Sequence, residues 1–130
     1  MICGGPGLAR LDSGALTSSE LLQRHLPGAA VVKVFNNIFY RHLASLARPA
    51  GAADRSFLPV AGDDPDAKAA VTAFLDSIGY GALDAGPLAE GWRQQPGMPA
   101  YGAPYGSSSD PASTPASAEA LRAALAAARR

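Results

Sequence analysis

Three short apolar runs, set between stretches of helical periodicity, limit what this chain can fold into: AVVKVF at 30–35, SFLPVAGDD at 56–64 and GALDA at 81–85. The first is β-branched and bounded by Pro27-Gly28 and Asn36-Asn37, which reads as a buried strand followed by a turn. The second carries Pro59, which cannot donate to a ladder and so places this strand near a sheet edge. The third stops at Gly86-Pro87.

The intervening segments have a different period. TSSE at 17–20 is a capping box: the Thr17 hydroxyl can accept from the Glu20 backbone while the Glu20 carboxylate answers. A short helix then runs to about Leu26, with Leu21, Leu22 and Leu26 on its apolar face. From Asn37 the apolar residues Ile38, Phe39, Leu43, Leu46 and Ala47 recur every three or four positions, giving a second helix that stops before Pro49. The third helix has Asp64 as cap, Pro65 at its first position, Asp66 at its positive end and Gly79 for a left-handed exit. Its inward face would hold Ala67, Ala70, Val71, Phe74, Leu75 and Ile78. Strands alternating with helices predict an α/β fold with about three mainly parallel strands, where ligands sit beyond the carboxyl ends of the strands.

Four segments follow from this reading: a loose lead-in at 1–16, an α/β unit at 17–87, a Pro/Gly/Ser-rich loop or linker at 88–116 and a tail helix at 117–130. Eleven basic residues balance eleven acidic ones with neither sign concentrated, so the footprint of a nucleic-acid binder is missing. No apolar run approaches the roughly 20 residues of a membrane span, and MICGGPG lacks the regions of a signal peptide, so the expected location is the cytoplasm. The single cysteine, Cys3, can form no internal disulfide, and with only His25 and His42 there is no zinc-ligand spacing.

The ordered set K-x-F-N at 33–36, A-G-D-D at 61–64 and D-A-G-P-L at 84–88, with YGAPYG at 101–106, resembles the C-terminal half of NADP oxidoreductases of the deazaflavin (coenzyme F-420) dependent reductase type. The resemblance spans roughly residues 12–106. It implies part of a doubly wound Rossmann-type fold and hydride transfer between NADP(H) and a deazaflavin. One departure is large: the family's strand and G-x-G-x-x-G-type turn, whose amides hold the pyrophosphate, has no counterpart, because MICGGPG lacks the spacing. The implied reading is a fragment inactive alone, pairing with a missing N-terminal half or with a second copy. The alternative is a non-catalytic interaction module that pairs through an open edge at AVVKVF.

The resemblance nominates Lys33, Phe35, Asn36, Asn37, Gly86, Pro87 and Leu88 as cofactor-binding residues, with no catalytic side chain and no metal. Each has a plainer reading. Lys33 can snorkel to solvent, Phe35 can be core, and Asn36 and Asn37 can serve the turn after a strand. Asp84, Gly86 and Pro87 can simply end a strand. Asp63 and Asp64 read as helix capping. Trp92, Tyr101 and Tyr105 read either as an aromatic lid or as parts of a mobile surface loop. Hydride transfer asks the protein only to place two rings and exclude water, so the lack of an acid-base pair neither supports nor opposes it.

Overall fold

A computed structural model describes residues 14–130, so Cys3 and the MICGGPG segment lie outside the described residues. The element order is α1 (Ser18–His25), β1 (Val32–Lys33), α2 (Tyr40–Ser45), β2 (Phe57–Gly62), α3 (Pro65–Ser77), β3 (Gly81–Asp84), two 3-10 helices (Leu88–Gln94 and Ala103–Tyr105) and α4 (Ala118–Ala126). The α/β class holds. The sheet is mixed rather than mainly parallel: β2 pairs in parallel with β3, from Phe57 opposite Gly81 to Val60 opposite Asp84, whereas β1 runs antiparallel to β2.

The local signals formed as their chemistry demands. In the capping box of α1, Thr17 Oγ1 accepts from Glu20 N–H at 3.1 Å and Glu20 Oε1 accepts from Thr17 N–H at 2.9 Å. Asp64 Oδ1 accepts from the amides of Asp66 and Ala67 at the start of α3. Gly79, at φ 97°, closes the other end of α3, where Tyr80 N–H donates to the Leu75 carbonyl.

The predicted helix faces are narrower than the sequence suggested. Leu22 and Leu26 of the first helical segment are 49% and 47% exposed. On α3 only Leu75 is fully buried, while Phe74 and Ile78 stay exposed. The second helix shrinks to Tyr40–Ser45, and Asn37 and Ile38 are buried ahead of it.

β2 is the central strand, which corrects the edge position expected from Pro59. Along β2 alternate residues point their backbone groups to opposite sides. The carbonyls of Ser56 and Val60 accept from Gly81 and Ala85 on the β3 side. Phe57, Pro59 and Ala61 face the other way. There β1 reaches only Ala61 and Gly62, so no strand requires a donor from Pro59.

The rest of that side is covered by the chain's own downstream segment. Phe57 N–H donates to the Ala116 carbonyl at 2.9 Å, Tyr105 Oη donates to the Phe57 carbonyl at 2.7 Å, and Gln94 Nε2 meets the Pro59 carbonyl at 3.4 Å. Leu88, Trp92, Ala100, Tyr105 and Ala116 are all buried, so the 88–116 segment is anchored on the sheet at these points, while residues 107–115 stay mostly exposed. Of these, Ala100, Tyr105 and Ala116 join the core around Leu58, Val60, Leu75, Tyr80, Leu121 and Leu125. No helix among the described residues is long and apolar enough to cross a membrane.

Candidate functional site

The nominated residues fall at two ends of β2. The first group follows β1. Phe35 takes φ 70°, a left-handed conformation that ends the pairing after Lys33, so AVVKVF contributes two strand residues instead of six. Asn36 then forms a reciprocal pair with Gln94: its Nδ2 donates to the Gln94 carbonyl at 2.7 Å, and Gln94 Nε2 donates to Asn36 Oδ1 at 3.0 Å. Asn37 is buried, with Nδ2 donating to the Ala100 carbonyl at 2.9 Å and to Tyr105 Oη at 3.4 Å. Because β1 is antiparallel, the chain leads these asparagines away from the carboxyl tip of β2: Asn36 connects through Gln94 to the Pro59 carbonyl and Asn37 through Tyr105 to the Phe57 carbonyl.

The second group sits at that tip. Gly62 N–H donates to the Gly86 carbonyl at 3.0 Å, and Leu88 N–H donates to Asp63 Oδ1 at 3.0 Å. Gly86, at φ 92°, gives its own N–H to Asp84 Oδ1. Thr17 Oγ1 donates to the Leu88 carbonyl, which ties α1 to the same corner. Leu88 is buried and Pro87 exposed. The A-G-D-D and D-A-G-P-L segments therefore close on each other, with Asp63 serving the turn and Asp64 the helix cap. The length of β2, about 16 Å for five steps of 3.3 Å, separates this corner from Asn37.

Lys33 lies between the two groups. Its stem packs on Gly91, burial pushes its ammonium pKa down, and it has no ion-pair or hydrogen-bond partner among the described residues. At the tip, the hydrogen bond from Lys68 Nζ at 2.8 Å holds the Asp84 carboxyl below its usual range, aided by the Gly86 amide. Burial pushes the Tyr105 phenol far up from its ordinary value. Among the described residues three buried acceptors, Asn37 Oδ1, His42 Nδ1 and Gln94 Oε1, have no hydrogen-bond partner, a rare condition that concentrates along the asparagine end. Among the described residues no group of three or more His, Cys, Asp or Glu could hold a metal ion.

Beyond Asn37 opens a cleft of about 770 Å³, lined by residues 37–40, 101–103 and 106–108. Tyr101 is on its wall, whereas Trp92 and Tyr105 are buried elsewhere, so the three aromatics considered as a lid do not act together. Trp92 is instead held between the guanidinium groups of Arg93 and Arg130, 4.6 and 4.5 Å from its ring centre. Sequence reasoning missed Gln94 and the buried Ser56, whose Oγ accepts from Ala116 N–H. A polar residue inside a Gly/Pro-rich stretch carries no periodic signal, so nothing marked Gln94 over Gln95. Tyr105 did belong to the YGAPYG segment, although its role as a donor to β2 was not readable there.

No family model matches the chain, and no curated protein does. Among solved structures it is similar to one described as "Crystal structure of a putative f420 dependent nadp-reductase from arthrobacter sp. fb24 at 1.70 A resolution", with 34% identity, a TM-score of 0.47, and coverage of 56% of this chain and 32% of that one. The chain thus spans about a third of the length of the protein it matches.

Proposed function

We propose that this chain is the cofactor-facing portion of an NADP(H)-linked oxidoreductase of the deazaflavin-dependent type, acting in hydride transfer between NADP and a deazaflavin. The observation that carries this reading is the mutual closure of two motifs: A-G-D-D at the end of β2 and D-A-G-P-L after β3 are joined by Gly62 to Gly86 and by Asp63 to Leu88. Ligands of α/β sheets bind at such carboxyl ends, here the ends of the parallel pair. Gly86 and the exposed Pro87 would face a ring there, and Lys33 would supply a cation, without a partner among the described residues, on the path between that corner and Asn36. NADP would bring the hydride chemistry; the chain's share is placement and exclusion of water.

The fit is incomplete. No turn in the sequence has the spacing that holds a pyrophosphate, so these strand tips could at best meet the nicotinamide end of the dinucleotide. The chain alone is expected to bind NADPH with a dissociation constant of about 1 mM or weaker, an affinity near 4 kcal/mol. Amide NMR during an NADPH titration tests both statements: at millimolar ligand, Gly86 and Leu88 should shift. A micromolar constant by calorimetry would contradict the weak binding. Shifts confined to residues away from the β2–β3 tip would contradict the site.

A further inference from the structure

The cleft beyond Asn37 is separate from the corner just described and does not depend on that functional reading. We infer that it is a binding site for a flat aromatic ring carrying an anionic group. Its volume of about 770 Å³ falls within the range of small-molecule sites.

Its walls are suited to a ring. Tyr40 is 66% and Tyr101 41% exposed, so both rings offer apolar faces to whatever enters. Phe39 packs edge-on to Tyr40, with ring centres 4.7 Å apart. Gly102 and Gly106, at φ 79° and 112°, carry the opposite wall through turns that a side chain would strain. A Cβ at Gly102 would meet nothing, which leaves that wall open to a ligand.

The rim supplies the charge preference. Arg41 Nε donates to Tyr40 Oη at 3.2 Å, with the guanidinium 5.8 Å from the Tyr40 ring centre. That contact places a cation beside the cleft, and Arg41 has no carboxylate partner among the described residues. Ser107 and Ser108 add hydroxyl groups on the wall, that of Ser107 already bonded to Ser109. Among the described residues no acidic side chain lines the cleft. Aromatic faces, a guanidinium with no carboxylate partner among the described residues, and wall hydroxyl groups together select a planar aromatic anion, whether an aromatic acid or a nucleotide.

The test uses the full chain with 2-naphthoate, its neutral counterpart 2-naphthamide, and AMP, by fluorescence and calorimetry. Naphthoate should bind saturably and several-fold more tightly than the amide. Tyr40→Ala combined with Tyr101→Ala should weaken it at least about fivefold, on the scale of lost ring contacts. Arg41→Gln should bring naphthoate down to the level of the amide. All three positions are on the surface, and unchanged circular dichroism and thermal midpoints will show that the variants fold. Binding of AMP in the same range would assign the site to nucleotides, and naphthoate alone would assign it to aromatic acids; either supports the proposal. Absence of saturable binding by both anions at millimolar concentration would overturn it. Equal affinity for acid and amide, or affinity indifferent to the tyrosine pair in folded variants, would overturn it as well.

Discussion

Replacing Tyr105 by Phe removes one hydroxyl and leaves the ring in the core. In the folded chain that hydroxyl is the donor at 2.7 Å to the Phe57 carbonyl, on the side of β2 that β1 does not reach. Asn37 keeps its stronger bond to Ala100, so the main loss is one buried carbonyl without a donor. Such a group costs about 2 kcal/mol, which for a chain of this size lowers Tm by about 5–10 °C.

The same residue makes the effect depend on pH. Burial raises the Tyr105 pKa, so the folded chain holds the phenolic proton more tightly than the unfolded chain does. Stability from this source is complete below the unfolded value near pH 10 and falls by about 1.4 kcal/mol per pH unit above it. The Phe variant has no such proton. A deficit of about 2 kcal/mol at pH 8 should therefore close near pH 11.5. Tyr80, also raised by burial, is present in both proteins, and its charge adds to the rise at Tyr105 less than burial does. Urea unfolding followed by circular dichroism from pH 8 to 11.5 provides the measurement. A gap that stays constant over that range would show that the hydroxyl ionises as freely in the folded chain as in the unfolded one, and the argument from burial would fail.

Three further outcomes follow from single contacts. A Cβ at Gly81 would run into the Phe57 ring, so Gly81→Ala should destabilise by about 1–3 kcal/mol, and adding Phe57→Leu should recover part of it in a double-mutant cycle. Ser56→Ala removes the buried acceptor for Ala116 N–H, so it should cost about 1–3 kcal/mol and make Arg122 on the tail helix more readily cut by trypsin; unchanged protection there would mean that the tail is held by its apolar face alone. Asp84→Asn breaks a pair with Lys68 in which Asp84 is mostly exposed, so solvent screening keeps the effect below about 1 kcal/mol. Because the Asp84 pKa is lowered, that contribution is present above the ordinary carboxylate pKa of about 4 and fades as pH falls through the folded value, a trend that acid titration of the variant against the wild type will read.

How much of this was legible in the sequence depended on distance along the chain. Thr17 with Glu20, Asp64 with Pro65, and Gly79 state their roles within four residues, and each does what its side chain or lack of one allows. The helix faces were legible only in outline. Periodicity at Leu22, Leu26, Phe74 and Ile78 marks an amphipathic pattern, but among the described residues these side chains stay exposed, with Phe74 meeting only the edge of Phe35 among the rings. The direction of β1 was not legible at all. A β-branched run looks alike whichever way it pairs, and the decisive event, the positive φ at Phe35, falls on a residue whose side chain does not favour it.

The docking of residues 88–116 was hidden for a related reason. The bonds that fix it are made by single polar groups across large separations: Tyr105 to Phe57 over 48 residues and Asn36 to Gln94 over 58. A strand announces itself by alternation, whereas a tyrosine hydroxyl, a glutamine amide and one main-chain carbonyl at Ala116 leave no pattern. Together they nonetheless satisfy the backbone of β2 where a neighbouring strand would otherwise be required. The open edge expected at AVVKVF shrinks accordingly. β1 offers two residues, one of them Lys33, and short, charged edges resist pairing with another chain. A second copy seeking β2 must displace Tyr105 and Gln94 first, exchanging satisfied hydrogen bonds for others of similar worth while ordering another chain, and that exchange gives it little net advantage.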